Sequence, residues 1–335
     1  MRKRMACVVV MVVSGLCLSV YFLLYYRSFS LNGTTYLYID ADDNADSVRV
    51  KLMEVSGLRR PRCFSLLASL SSYSVKTGRY AVSPDDNVVA VLRRLRTGAQ
   101  TPVRITVPSV RAMPQLAAVL ADKLMLDSAS LASFLTDSAS CAALGYDTAT
   151  ILALFIPDTY EVWWNTPAEG FLQRMQREHD AFWNEERRNK AESIGLLPVE
   201  VATLASIVDE ETNDKAEKPT IAGLYINRLR KGMPLQADPT VKYALHDFSL
   251  RRILRKHLET VSPYNTYLYT GLPPGPIRIA SVEGIDAVLN YERHDYFYMC
   301  AKEDFSGAHN FARTLREHQA NARRYARALN KRGIR

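Results

Sequence analysis

Three consecutive acids, Asp209, Glu210 and Glu211, follow an apolar run in the stretch ASIVDEET. A carboxyl group can act as a general acid when its surroundings keep a proton on it near neutral pH. Burial does this, because low dielectric disfavours the charged form. Read as one helix, PVEVATLASIVDEET turns by about 100° per residue. That turn gathers Val201, Leu204, Ile207 and Val208 into one apolar stripe. Glu211 falls inside the stripe, whereas Asp209 and Glu210 fall outside it. Geometry leaves two readings of Glu211 open. It is either a desolvated proton donor or a helix-end glutamate that bends out to solvent or meets an arginine.

Other chemistries lack their signatures. The histidines form no H-E-x-x-H pattern, and neither a G-x-S-x-G nor a Walker sequence occurs. Cys7 and Cys17 lie in the apolar N-terminal run, and Cys63, Cys141 and Cys300 lie beyond it with no C-x-x-C spacing. This is neither a disulfide framework nor a zinc site. No metal and no cofactor is expected, and carboxylate chemistry is the enzyme class that remains.

The elements that position these residues follow from pattern. Residues 1–5 are basic through Arg2, Lys3 and Arg4, and residues 6–26 carry no charge. A run of about 20 apolar residues matches the hydrocarbon thickness of a bilayer. The expectation is a retained single-pass transmembrane helix, with its basic end in the cytoplasm and the remainder exported. The rival reading is a cleaved signal peptide. Over residues 35–108, TTYLYID and TGRYAVSP alternate as strands, with ADSVRVKLMEV and PRCFSLLASLSSY as helices between them. DDNVVAVLRRLRTG then reads as a helix ended by Gly98, and PVRITVP as a strand, giving a small β-α-α-β unit extended by α-β. Residues 109–155 read as a helical connection. Residues 156–335 form a second block, in which Pro219 and Gly232 bracket a helix. The stretches MPLQADPTVKYAL and SPYNTYLYTGLPPGPI read as cleft-forming loops, and YFYMCA and HNFA as a hairpin. The net charge of +8 is concentrated in the tail, where Glu317 is the lone acid after Arg313. An exported basic surface of this kind suits anionic lipid or a wall polymer, and no nucleic acid partner is expected.

At this point ASIVDEET, LYINRLRKGMPLQADPTVKYAL, YNTYLYTGLPPGPI and HNFA resemble the YceG-like family, the endolytic murein transglycosylases also called MltG. TGRY and IPDTYE match further family stretches. The resemblance implies an α+β protein with an inner-membrane anchor, a LysM-like α/β subdomain and a mixed α+β catalytic domain. It implies glycan strands of peptidoglycan as substrate, peptidoglycan synthases as partners and a periplasmic site. The family's catalytic glutamate is the last acid of an E-x-E-T segment, which is Glu211 here, before Thr212. The first acid of that segment is aspartate here, Asp209, a departure beside the proton donor. Asn227, Gln236, Asp238, Thr240, Asn265 and Tyr267 lie in matching motifs as candidate sugar ligands, each with a loop-bracing role as its alternative.

The implied reaction fits a single essential carboxyl. Glu211 protonates the glycosidic oxygen between N-acetylmuramic acid and N-acetylglucosamine. As carboxylate it then takes the muramic C6 hydroxyl proton, leaving a 1,6-anhydro end. Two alternatives stay open. One is a muramidase with Asp209 or Asp238 as second carboxylate. The other is a glycan-binding scaffold without activity.

Overall fold

The computed structural model describes residues 2–250 and 252–332, and its fold is mixed α+β, rich in helix with small sheets. The chain divides into two compact units, the first built mainly of residues up to Ile105 and the second mainly of those beyond.

Helix α1 spans Arg2–Tyr25. The side chains of Arg2, Lys3 and Arg4, on which the membrane-topology expectation rests, lie outside the described residues. The described apolar stretch of α1 is Cys7–Phe22, and among the described residues no single helix is long and apolar enough to cross a membrane by length and composition. Its valines and leucines, from Val8 through Val20, are exposed.

The first unit then runs β1 (Thr35–Ile39), α2 (Ala45–Ser56), α3 (Pro61–Leu70), β2 (Gly78–Val82), α4 (Val88–Thr97) and β3 (Val103–Thr106). Strands β1 and β2 pair antiparallel, with Thr35 opposite Val82 and Ile39 opposite Gly78. Their alternation turns Leu37, Ile39, Tyr80 and Val82 inward onto Val48, Leu52, Phe64 and Leu95. Helix α4 starts where the Asn87 side chain accepts from the Ala90 N–H, and it stops at Gly98, which takes the left-handed conformation at φ 73°.

In the second unit come α5 (Met113–Ala121), α6 (Ser128–Thr136), α7 (Ser138–Ala143) and a 3₁₀ turn at Ile151–Leu154, and β4 spans Thr159–Val162. Residues 109–155, read from sequence as a connection, belong to this unit apart from Lys123–Leu126. Helices α8 (Ala168–Phe182), α9 (Glu185–Ile194), α10 (Pro198–Glu211) and α11 (Lys218–Arg230) follow. The chain then forms α12 (Asp238–Ala244), α13 (Arg255–Leu258), α14 (Val282–Leu289), the antiparallel hairpin β5 (Tyr298–Ala301) and β6 (His309–Ala312), and α15 (Leu315–Lys331).

Helix α10 is the centre of this unit's core. Every residue from Val201 to Asp209 is buried, because α9, α11, α12 and α14 surround it. This overturns the one-sided helix assumed from the sequence, in which Asp209 pointed away from the core. Part of MPLQADPTVKYAL, read as loop, is helix α12. Its Asp238-Pro239 pair sits in the first turn, where proline's missing N–H costs nothing and an acid meets the helix dipole.

Candidate active site

The three neighbouring acids have separate fates, each set by what packs around the C-terminal turn of α10. Asp209 is 7 % exposed. Its Oδ1 lies 2.5 Å from Lys218 Nζ and accepts from the Ser281 hydroxyl at 2.8 Å, and its Oδ2 accepts from the Ser281 N–H at 2.7 Å. Ser281 is the cap of α14, so Asp209 ties α10, α11 and α14 together. The first turn of α14 comes so close that a Cβ on Gly284 would stand 2.5 Å from Asp209 Oδ1. Glu210 is held by a guanidinium fork from Arg111 (2.9 and 2.7 Å) and by Arg278 at 2.8 Å. These two carboxylates are structural charges with their valences filled.

Glu211 is different. It keeps some accessible surface, yet burial dominates the behaviour of its carboxyl and pushes its pKa up to about 7. The hydrogen bond from Tyr225 opposes that rise, the negative charge of Asp238 adds to it, and His309 and Lys242 oppose it. The Tyr225 hydroxyl donates to Glu211 Oε1 at 2.6 Å. Burial and the Glu211 charge hold that phenol well above the ordinary range, so it keeps its proton. Oε1 is therefore an acceptor, which leaves the carboxyl's own proton to Oε2. Tyr225 is itself 1 % exposed on α11, so the partner of Glu211 is fixed by the core rather than by a loop.

Glu211 lines two adjoining cavities. One is lined also by Tyr225, Arg228, Gln236, Asp238, Tyr267 and His309, with the β5 residues Met299 to Ala301. The other is lined by residues 209–214 and by Ser306, Gly307 and Ala308 of the β5–β6 loop.

Of the candidate sugar ligands, Gln236, Asp238 and Tyr267 share the first cavity with Glu211. The Tyr267 hydroxyl donates to Asp238 Oδ1 at 2.6 Å. Gln236 sits at φ 51°, a left-handed backbone uncommon outside glycine and asparagine. Its N–H donates to the Thr266 carbonyl at 3.0 Å, and its Oε1 accepts from Arg228 at 3.2 Å. The structure puts the other three elsewhere. Thr240 is fully buried and bonds the Ala237 carbonyl at 2.7 Å and Thr266 Oγ1 at 2.8 Å. Asn265, also fully buried, donates to the carbonyls of Leu258 and Thr260 at 2.9 and 2.8 Å and accepts from the Tyr267 N–H at 3.0 Å. Asn227 donates to the carbonyls of His294 and Tyr296 at 2.7 and 3.1 Å and lines a separate cavity. Thr240 and Asn265 are spent on the segments that carry Gln236, Asp238 and Tyr267, and Asn227 is spent on the chain just before β5.

Sequence reasoning passed over Tyr225, Arg228 and His309. Arg228 is 6 % exposed and donates to the carbonyls of Phe297, Pro234 and Leu235 at 2.6, 3.0 and 2.9 Å. It joins α11, the loop before α12 and the start of β5 into one wall. All three residues lie in stretches that carried the family resemblance, but pattern alone gives no sign that α11 and β6 converge on the end of α10.

The fold and the cleft define a protein that presents one desolvated carboxyl, flanked by hydroxyl, amide and imidazole groups, to two cavities that share it. A profile of the YceG-like family matches residues 37–324, and the chain belongs to that family. It is 32% identical over 277 residues to the endolytic murein transglycosylase of Bacillus subtilis (strain 168), which covers 76% of this chain and 74% of that protein. The endolytic murein transglycosylase of Streptococcus pneumoniae (strain D39 / NCTC 7466) is 29% identical over 169 residues, covering 49% of this chain and 30% of that protein. The crystal structure of a putative YceG-like protein from Listeria monocytogenes is similar with a TM-score of 0.57 at 25% identity, over 87% of this chain and 99% of that one.

Proposed function

We propose that this chain is an endolytic murein transglycosylase that cuts the β-1,4 bond from N-acetylmuramic acid to N-acetylglucosamine and leaves a 1,6-anhydro end. The observation that carries this reading is the Glu211 carboxyl, pushed up to about 7 by burial at the edge of a polar cleft. Such a group is protonated when substrate arrives and can give its proton to the glycosidic oxygen. The bond then breaks toward an oxocarbenium-like centre, and the negative charge of Asp238 in the same cavity suits the positive charge that develops. The muramic C6 hydroxyl closes onto the anomeric carbon, so no water is consumed. Gln236, Asp238 and Tyr267 orient the sugars, and Asn227, Thr240 and Asn265 brace the loops behind them. Two cavities that both have Glu211 in their lining offer room for sugars beyond the pair being cut, which suits attack within a strand.

Helix α1, with exposed apolar residues from Val8 to Phe22, serves in this reading as a membrane anchor that keeps the cleft on the periplasmic side, near strands as synthases make them. The β1-α2-α3-β2 unit is read as LysM-like, a glycan-binding or spacing module. One observation keeps a hydrolase in view: Asp238 shares the cavity with Glu211 and has the freedom that Asp209, paired with Lys218, lacks.

Mass analysis of the fragments released from glycan strands by the full-length protein separates the readings. Anhydro ends are expected. Reducing ends would make the protein a muramidase, and strands bound but never shortened would make it a scaffold.

A further inference from the structure

His309 opens β6 and lines the cavity that Glu211 lines. Behind it stands Glu217, the residue that precedes α11, itself only 9 % exposed. One Glu217 oxygen accepts from the His309 backbone N–H at 2.7 Å, and the other lies 2.8 Å from His309 Nδ1. A carboxylate has no hydrogen to donate, so Nδ1 carries the proton in the neutral ring. Nε2 is then left as a lone pair. Among the described residues no protein group bonds it. A carboxylate that fixes the tautomer of an imidazole on a residue lining a cleft, with the far nitrogen free of protein partners, is the arrangement of a general base. The single-carboxyl reaction gives this pair nothing to do.

We propose that His309, oriented by Glu217, is the base that takes the C6 hydroxyl proton as the anhydro ring closes. Acid and base are then two groups rather than one carboxyl acting twice. This rests on the lytic reading of the cleft. Glu211 gives its proton to the glycosidic oxygen as the bond from C1 to that oxygen breaks. The C6 oxygen forms its bond to C1 while its proton passes to Nε2. The resulting imidazolium is held by the Glu217 carboxylate until its added proton returns to the Glu211 carboxylate. No water, electron or net proton is exchanged. His309 is the catalytic residue of the pair and Glu217 the positioning one.

The distinguishing measurement is the ratio of anhydro to reducing ends, read by mass from strands cut by the full-length protein in detergent micelles. Where the C6 hydroxyl is no longer deprotonated, water captures the cationic centre instead. His309→Gln is expected to lower kcat by about a hundredfold, with strand affinity held within about threefold, and to raise the share of reducing ends. Glu217→Gln, whose amide can turn its N–H groups toward Nδ1 and so place the ring proton on Nε2, is expected to shift the ends the same way. Glu217→Asp restores part of the anhydro share. The two glutamine variants are independent, and thermal melts show that each is folded. An anhydro share unchanged in folded His309→Gln, whether or not the rate falls, overturns the proposal. Wild-type protein that yields only reducing ends removes the lytic reading and this proposal together, and does so before any substitution is made.

Discussion

Neighbouring acids differ in function because their surroundings differ: Asp209 and Glu210 are tied into ion pairs with Lys218, Arg111 and Arg278, whereas Glu211, among the described residues, is not. Burial stabilises the proton on Glu211, and the sign of that shift makes two predictions. Activity falls as pH rises through about 7, where the acid form that starts the reaction is lost. Stability moves with the same proton. With a folded pKa of about 7 against the ordinary 4.5, the native state favours protonated Glu211. Its contribution to stability is full below about 4.5 and is lost as pH rises toward 7. Glu211→Gln does not titrate, so its melting temperature relative to wild type should climb across that window. A constant difference between the two melting curves would mean that the carboxyl is not desolvated. Asp209 makes the opposite case. Asp209→Ala strands Lys218 in the core and should cost about 3–5 kcal/mol in denaturant unfolding. A loss below about 1 kcal/mol would contradict the staple described for it. At this scale the sequence placed Glu211 on the apolar side of its helix and Asp209 on the outer side, where the structure instead buries it. The apolar stripe singled out Glu211, yet the partners of Asp209 and His309 come from Ser281 and Glu217, which no local period can bring near.

Elements with local signals were the legible ones. Alternation gave β1 and β2, Gly98 ended α4, Pro219 opened α11, and the hairpin at YFYMCA and HNFA is present as β5 and β6. Thr314 and Glu317 form the capping box of α15, which explains why the lone acid of the basic tail stands where it does. Helix α12 was missed because its proline and polar residues were taken as loop chemistry, although the same residues begin helices. The all-round burial of α10 was hidden for another reason: it depends on α14, whose packing is a tertiary fact. That packing can be tested. Gly284→Ala drives a methyl toward Asp209 Oδ1, with a built separation of 2.5 Å. The clash should cost about 1–3 kcal/mol. Pairing it with Asp209→Ala removes the obstructing carboxylate, so the double variant should be less unstable than the sum of the singles. Strict additivity would show that α14 does not rest on Asp209.

At the scale of the whole molecule, an exposed apolar helix begins the first of two compact units, and the proposed function needs the second of them outside the cytoplasm. In the proposed reading, Arg2, Lys3 and Arg4 ahead of the apolar run are the charges that would set that orientation. A phosphatase that works only after export, fused beyond Arg335, should therefore be active, and a well-expressed but inactive fusion would contradict the topology. The central claim is narrower than topology or fold. In the proposed mechanism one carboxyl, kept protonated by burial although the Tyr225 hydroxyl on its other oxygen pulls the other way, starts the cleavage of the glycan. Glu211→Gln preserves the volume and the acceptor that Tyr225 needs, and removes only the proton. The most direct measurement is therefore the single-turnover rate of strand cleavage by Glu211→Gln, with strand binding followed in the same samples. The rate should fall by at least about a hundredfold while binding remains near wild type and the variant still melts cooperatively. Cleavage at a rate close to wild type would mean that Glu211 is not the proton donor.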